Sequence, residues 1–272
     1  MTGRLAGRTA IVLGASQRGG SGWVVAETLA REGADVSVAA RRLDKVEELA
    51  REIGGTAYRC DAAREPEVRA FVEAVAAKAG HIDLAVAAVG LGSLGLIDET
   101  EDDKLQEAFG ANFFGPFHFV RHCARHMVEG GSAVLFSSIA STSVFPGSVA
   151  YSCAKGALNT FVRYAAVEYA PRRIRVNGLK AGMLEGPHAR RWRRAGMFEQ
   201  LLKEVPLGEP VTPEELAAMI VWLATDARSI TGEVIHVDGG NHLRRQLFPE
   251  ELVGEGLASM GRRRPAGDDA QR

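Results

Sequence analysis

Short apolar runs and helical repeats of apolar residues alternate along almost the whole chain. The apolar runs predict buried strands at 9–13, 35–40, 56–60, 83–88, 133–136, 173–179 and 234–237. Helical periodicity predicts helices at 23–31, 43–53, 65–79, 101–129 and 149–169. This strand–helix alternation predicts an α/β fold, a single doubly wound parallel sheet of about seven strands with helices on both faces.

The composition is that of an ordinary globular protein. Of the 272 residues, 46% are hydrophobic and 25% are charged, and the formal net charge is -1. This balance predicts neither nucleic acid nor a membrane as a partner. The longest uncharged stretch is too short to span a bilayer, and the N-terminus lacks an apolar segment long enough for a signal peptide. The three cysteines have no metal-like spacing, so we expect a reduced cytoplasmic protein without a metal site.

A glycine-rich segment separates the first predicted strand from the first predicted helix. It reads GASQRGGSG, and its candidate cofactor-binding residues are Gly14, Ser16, Gly20, Ser21 and Gly22. Glycines remove side-chain obstruction, and the free N–H groups at a helix start attract an anion. We therefore interpret the segment as a phosphate cradle, the alternative being a turn that only connects two elements.

Two arginines, Arg41 and Arg42, follow the second predicted strand. An acidic residue here would bind a ribose 2′-hydroxyl, whereas a guanidinium fork suits the additional phosphate of NADP. We therefore expect NADP(H) to be preferred over NAD(H). The alternative is a solvated helix N-terminus, although two cations at that end oppose the helix dipole. Asp61, at the end of the third strand, is a candidate for the adenine edge or for a helix cap.

Candidate chemistry centres on Tyr151. Lys155 falls one turn later on a helix predicted to begin near Val149, so both side chains leave the same face. Ser138 follows the apolar strand that ends at Phe136. A phenol, an ammonium and a hydroxyl at a strand end suit proton transfer to or from an oxygen atom. The lysine charge would lower the phenol pKa, and the serine would hydrogen-bond the reacting oxygen. The alternative is a chance Tyr–Lys pair on a helix surface.

Taken in order, these motifs resemble those of the short-chain dehydrogenase/reductase family over residues 5–240. The resemblance rests on the glycine-rich segment, Asp61, Asn112, Ser138, Tyr151, Lys155, the IRVN of 174–177 and the TGEVIHVDGG of 231–240. It implies a Rossmann-like fold and a nicotinamide cofactor, with Tyr151 as the general acid/base. Lys155 would hold the nicotinamide ribose, Ser138 would position the substrate carbonyl, and Asn112 would kink its helix and hold a relay water. Further cofactor contacts are expected at Ala62, Ala88, Gly90, Gly182 and Leu184, together with Tyr151 and Lys155.

Three departures from the family pattern concern the cofactor site. The glycine-rich segment is about two residues longer than usual, and we expect the insertion at 17–19 to bulge over the pyrophosphate. The family's Asn-Asn-Ala-Gly is replaced by the Ala-Ala-Val-Gly of 87–90, which removes side-chain bonds between the central strands. The usual Pro-Gly is Ala181-Gly182, and the threonine expected soon afterwards is absent, with Gly186 near its place.

The family domain is expected to cover residues 1–240, with 183–210 as a segment that covers the substrate. Leu91, Trp192 and Met197, together with Phe198, are predicted to form an apolar pocket wall. The arginines of this segment would face solvent or an anionic or carrier-linked portion of the substrate. Residues 241–272 are predicted to be a C-terminal extension whose end is disordered.

The preferred functional hypothesis is an NADP-dependent oxidoreductase that interconverts a ketone and a secondary alcohol in a small molecule. One alternative is reduction of a conjugated C=C bond, which the short Tyr–Lys spacing disfavours, because the enoyl reductases of similar fold separate the two residues further. Another is a non-catalytic NADP-binding or scaffold protein, which the complete catalytic set disfavours. The family also implies a homo-oligomer, either a tetramer or a dimer.

Overall fold

The computed structural model describes residues 3–187, 189–194 and 196–247. Within them a seven-stranded parallel sheet has the order β3-β2-β1-β4-β5-β6-β7. The strands are β1 (Thr9–Leu13), β2 (Asp35–Ala40), β3 (Thr56–Arg59), β4 (Ile82–Ala87), β5 (Met127–Ser138), β6 (Arg175–Ala181) and β7 (Val234–Val237). This arrangement confirms the predicted doubly wound α/β fold.

The described part of the chain contains nine α-helices, six of which pack on the two faces of the sheet. They are α1 (Ser21–Arg31), α2 (Leu43–Ile53), α3 (Glu65–Ala79), α4 (Asp102–Phe109), α5 (Gly115–His126), α6 (Val149–Tyr169), α7 (Ala189–Arg194), α8 (Phe198–Leu202) and α9 (Pro213–Thr225). No helix in the described ranges is both long and apolar enough to cross a membrane.

The prediction of one continuous helix over 101–129 is wrong. In the structure α4 is followed by a π-helical turn at Gly110–Phe114, then by α5, and β5 already begins at Met127. The π turn breaks the regular helical hydrogen-bond ladder. The side chain of Asn112 compensates, because its Nδ2 donates to the Ala108 carbonyl oxygen at 2.9 Å.

The sequence analysis did not predict α9. Its start has a clear signal, since Thr212 and Glu215 cap each other reciprocally and Pro213 occupies the first turn. However, its solvent-facing side also carries apolar residues, such as the exposed Trp222, so the contrast between the two faces is weak in the sequence. It packs against α1.

The core consists of two apolar layers, one on each face of the sheet. Alternate residues of β1 belong to different layers, with Val12 in one and Leu13 in the other. The first layer includes residues of α1, α2 and α9, and the second includes residues of α3, α5 and α6. Burial on both faces explains why the strands read as continuous apolar runs instead of alternating patterns.

The centre of the sheet contains the point at which strand order reverses. β1 pairs with β2 on one side and with β4 on the other. The connections on the two sides lead to opposite edges of the sheet, so a crevice opens at the carboxyl ends of these strands. In open α/β sheets such a crevice is where ligands bind.

The predicted C-terminal extension lies mostly outside the described residues. Within them, β7 leads through Asp238 into a short 3₁₀ turn at Asn241–Leu243, and the description ends at Leu247. The predicted disorder of the end of the chain concerns residues beyond that point.

Candidate active site

A cavity of about 1750 Å³ opens at the carboxyl ends of the central strands. Every residue predicted to bind the cofactor lines it: Gly14, Ser16, Gly20, Ser21, Gly22, Arg41, Arg42, Asp61, Ala62, Ala88, Gly90, Tyr151, Lys155, Gly182 and Leu184. Ser138 and Leu91 also line the cavity, whereas Asn112, Trp192 and Met197 do not. The structure therefore brings together residues from distant parts of the chain, as the parallel sheet requires.

The glycines at the start of α1 are needed because backbone segments approach closely there. A Cβ atom on Gly22 would lie 2.3 Å from the carbonyl oxygen of Gly14. Gly14 itself has a φ of +101°, and a Cβ there would lie 2.7 Å from the Ala88 carbonyl oxygen. The hydroxyl of Ser21, in the first turn of α1, is buried and has no hydrogen-bond partner within the described residues. The glycine backbone without side chains, the N-terminus of α1 and the unpaired Ser21 hydroxyl are groups that could bind a pyrophosphate.

The additional residues of the glycine-rich segment form a turn beside this cradle. The Gly20 N–H donates to the Gln17 carbonyl oxygen at 2.8 Å. Arg18 extends towards α2, where it pairs with Glu48 at 2.8 Å and with Glu52. Unlike Gln17 and Gly20, neither Arg18 nor Gly19 lines the cavity. The insertion is thus a turn fastened to α2 by ion pairs.

Two basic residues border the cavity where β2 ends. The guanidinium of Arg42 donates to the carbonyl oxygen of Ser16 at 2.8 Å and to its hydroxyl at 3.2 Å. Arg42 therefore links the start of α2 to the glycine-rich segment. Arg41 is exposed at the cavity lining. Asp61 lines the cavity and accepts a hydrogen bond of 3.1 Å from the Ala63 N–H in the loop before α3. The N-cap residue of α3 is Arg64, so the alternative prediction that Asp61 caps this helix is wrong.

Lys155 is almost completely buried, with 1% of its surface exposed. Its ammonium donates to the carbonyl oxygens of Phe136 at 2.6 Å and Val89 at 3.2 Å. Burial lowers the pKa of Lys155 to about 7, because the charged form is poorly solvated there. Sequence reasoning missed both carbonyl partners, although each belongs to a residue close to a predicted site residue at the end of a strand.

Tyr151 is half-buried and lies beside Ser138 at the cavity lining. Burial raises the pKa of the Tyr151 phenol, and the neighbouring Ser138 hydroxyl lowers it in part. The Lys155 nitrogen lies 5.8 Å from the centre of the tyrosine ring. The expected lowering of the phenol pKa by the lysine charge is therefore wrong for the protein as described, since desolvation has the larger effect.

Asn112 lies behind the cavity and is fully buried in the π turn. Its Oδ1 accepts from the Leu91 N–H at 3.0 Å, and its Nδ2 donates to the Leu91 carbonyl at 2.9 Å. Asn112 thus binds both backbone groups of a residue that lines the cavity, and it couples the helical break to the wall of the site.

Comparison with known proteins decides the family. The family model described as enoyl-(acyl carrier protein) reductase matches residues 14–242. An uncharacterized oxidoreductase of Methylorubrum extorquens is 34% identical over 246 residues, covering 87% of this chain and 98% of the relative. The chain belongs to the short-chain dehydrogenase/reductases.

Two further similarities support this assignment. The 3-oxoacyl-[acyl-carrier-protein] reductase of Homo sapiens is 32% identical over 228 residues, covering 82% of this chain and 94% of that enzyme. The structure of a short-chain type dehydrogenase/reductase from Mycobacterium ulcerans superposes with a TM-score of 0.84 at 30% identity, covering 89% of this chain and 92% of the other.

The departures from the short-chain dehydrogenase/reductase pattern have local explanations. At the altered central motif, the Ala88 N–H still donates to the Leu13 carbonyl at 2.8 Å, so backbone bonds join these strands. The glycine of the Ala181-Gly182 pair is required by packing, because a Cβ there would lie 2.6 Å from the Cβ of Asp238. Gly186, near the place of the missing threonine, has a φ of +119°.

Part of the segment predicted to cover the substrate packs on itself. Met197 and Phe198 are buried, and Arg193 pairs with Glu185 at 2.6 Å and with Glu199 at 3.0 Å. The guanidinium of Arg193 also lies 4.0 Å from the centre of the Phe198 ring. The side chain of Arg193 is 43% exposed, so it faces solvent, as one of the two alternatives predicted, and its ion pair with Glu199 joins α7 to α8.

Proposed function

We propose that this short-chain dehydrogenase/reductase interconverts a ketone and a secondary alcohol with NADP(H), with Tyr151 as the general acid/base. The observation that carries the proposal is the placement of Tyr151, Ser138 and the buried Lys155 at one cavity, which also has a phosphate cradle. The nicotinamide supplies or accepts the hydride when the cofactor is bound.

The raised pKa of Tyr151 keeps its phenol protonated at neutral pH. A protonated phenol suits donation of a proton to the oxygen of a carbonyl substrate. Ser138 would hold the same oxygen by a hydrogen bond. Lys155, held by two backbone carbonyls, would present its remaining hydrogen-bonding capacity to the cofactor ribose and the tyrosine. Asn112 would keep the backbone of Leu91 in place at the cavity wall.

Preference for NADP(H) is proposed from the two arginines at the end of β2. Arg41 has an exposed guanidinium at the cavity, and it would pair with a 2′-phosphate. Arg42 would support the site indirectly, because it is already bonded to Ser16. We expect a homo-oligomer, a tetramer or a dimer, in the cytoplasm, and the exposed aromatic residues Phe114 and Tyr164 offer apolar surface for such an interface.

Reduction of a conjugated C=C bond is the second candidate, favoured by the description of the matching family model. The name of the human relative, by contrast, states reduction of a 3-oxoacyl group. The spacing of Tyr151 and Lys155 by one helical turn supports the carbonyl reaction. Product analysis with a substrate that contains both a ketone and a conjugated double bond would distinguish the two.

The first test is a fluorescence titration of the purified protein with NADPH and NADH, followed by a screen of carbonyl and alcohol substrates with Tyr151→Phe beside wild type. We expect Tyr151→Phe to lower turnover by about 10²–10⁴-fold while cofactor binding is nearly unchanged. Tyr164→Phe, on the exposed side of the same helix, is the matched control. Retained turnover in Tyr151→Phe would remove this residue from the mechanism, and failure to bind either nucleotide would favour a non-catalytic protein.

A further inference from the structure

A second cluster of potential ligands lies at the end of β7, outside the cavity described above. His236 and Asp238 are two residues apart and leave the same face of the chain, and the following turn returns His242 to them. One side-chain ligand atom from each of the three residues lies within 4.8 Å of those of the other two. The two imidazole rings stack at 3.9 Å between their centres.

Asp238 is the fixed member of this cluster. Its side chain is only 3% exposed, and its Oδ1 accepts from the Gly240 N–H at 3.0 Å. Its Oδ2 accepts from the His242 N–H at 3.0 Å and lies 2.8 Å from His242 Nδ1. Direct binding of an ion by Asp238 would replace the hydrogen bond between Oδ2 and His242 Nδ1, since a metal ligand must give up its proton.

We propose that His236, Asp238 and His242 bind a divalent transition-metal ion. Imidazole nitrogens favour zinc and its neighbours over magnesium or calcium, which prefer sites made of oxygen atoms. Three protein ligands leave one position of a tetrahedral ion for water. No metal site was expected from the sequence, because the spacing of the three cysteines is not that of metal ligands. The present site is made of two histidines and an aspartate instead.

Modest side-chain rotation is needed to close the site around an ion. In a tetrahedral zinc site with bonds of about 2.1 Å, neighbouring ligand atoms are about 3.4 Å apart, so the three groups must approach one another. His236 and His242 are both exposed, and the adjustment separates their stacked rings and replaces the hydrogen bond between His242 and Asp238. Asp238 can remain in place, with its backbone hydrogen bonds retained.

The ammonium group of Lys180 lies near the cluster, and its positive charge lowers the affinity that we expect for zinc. Lys180 is the partner of His236 in the pairing of β6 with β7, and its charge acts on both His236 and Asp238. The charge of Arg163 acts in turn on Lys180. We therefore expect micromolar affinity for zinc, weaker than that of structural zinc sites formed by thiolates. Lys180→Met should strengthen zinc binding, since it removes the opposing charge.

The position of the cluster connects it to the segment beyond α8. The Leu207 N–H donates to the Gly239 carbonyl at 3.1 Å, and Asn241 Nδ2 donates to the Glu204 carbonyl at 2.9 Å. A single metal ion bound by His236 and Asp238 before this turn and by His242 within it would hold the turn more firmly to β7. Zinc should therefore protect the backbone around 204–207 from proteolysis.

The experiment is a titration of the full-length, tag-free protein with Zn²⁺ in competition with a chromophoric chelator. We expect one zinc ion per chain, no binding of Mg²⁺ at the same concentration, and about 100-fold weaker zinc binding in His236→Gln and His242→Gln. His81→Ala is the matched control, because His81 lies 3.2 Å from Asp83 without a third ligand and should leave zinc binding unchanged.

Two measurements keep the result interpretable. Thermal unfolding in the presence of EDTA should be the same for wild type and for both variants, which shows that the folds are equivalent. Replacement of Zn²⁺ by Co²⁺ should give the visible absorption of a four- or five-coordinate ion in wild type and lose it in the variants. The proposal is overturned if wild type binds no zinc up to 100 μM, on the order of 100 times the expected Kd, or if the histidine variants bind zinc as wild type does.

Discussion

Lys155 donates a hydrogen bond of 2.6 Å to the carbonyl oxygen of Phe136, nineteen residues earlier in the chain. This contact joins α6 to the end of β5, and the Val89 carbonyl adds a second acceptor from the segment after β4. A charged side chain is thereby buried without a carboxylate partner, which lowers its pKa to about 7.

This buried lysine predicts a dependence of stability on pH. Between its folded pKa of about 7 and its ordinary value of 10.5, the unfolded chain binds a proton that the folded chain lacks. The Lys155 contribution to the free energy of unfolding should therefore increase as the pH rises through this window, by roughly 2–4 kcal/mol. Urea unfolding of wild type and Lys155→Met at pH 7 and pH 9.5 measures the difference. A difference between the two proteins that does not change with pH would contradict the prediction.

Arg41 and Arg42 should differ in their effects on cofactor binding. Arg41→Ala removes the exposed guanidinium at the cavity. We expect this change to weaken the binding of NADPH by about 10- to 100-fold, with little change in the binding of NADH. Arg42→Ala removes the bonds to Ser16 and should weaken both nucleotides, because it loosens the glycine-rich segment. Fluorescence titrations with both cofactors test the pair. If Arg41→Ala weakens the binding of NADPH and of NADH equally, the proposed preference for NADP(H) is contradicted.

Gly22→Ala should impair both stability and nucleotide binding. The new methyl group would lie 2.3 Å from the Gly14 carbonyl oxygen, so the start of α1 must move away from the segment that forms the cradle. Gly156→Ala is a suitable control, because a methyl group on this α6 glycine would make only an ordinary contact of 3.8 Å. We expect a lower midpoint of thermal unfolding and weaker NADPH binding for Gly22→Ala alone. Unchanged binding would argue against the cradle.

Asn112→Ala should destabilise the protein by about 1–3 kcal/mol, because it leaves buried backbone groups of Leu91 and Ala108 without partners. Chemical unfolding measures this loss. Gln106→Ala, at an exposed position of α4, is the control and should change stability little. A neutral effect of Asn112→Ala would mean that the π turn does not depend on this side chain.

Elements whose signals are local could be predicted from the amino-acid sequence. The strands are short apolar runs because both faces of a parallel sheet are buried, and the bounds of α2 and α3 coincide with the predicted ones. The spacing of Tyr151 and Lys155 places them on one helical face in any helix. The order of strands and helices along the chain was sufficient to predict the crevice, whereas the resemblance to the family supplied lining residues such as Ala88, Gly90 and Gly182.

Contacts between distant residues could not be predicted from the sequence and are visible only in the folded protein. The carbonyls that hold Lys155, the attachment of Arg18 to α2 and the position of Met197 outside the cavity all depend on contacts between residues far apart in the chain. The raised pKa of Tyr151 likewise depends on burial, which spacing does not encode. The same holds for His242, which reaches His236 through a turn that no periodic pattern marks. Periodicity reports local backbone geometry, whereas solvation and long-range polar contacts exist only once the sheet has assembled.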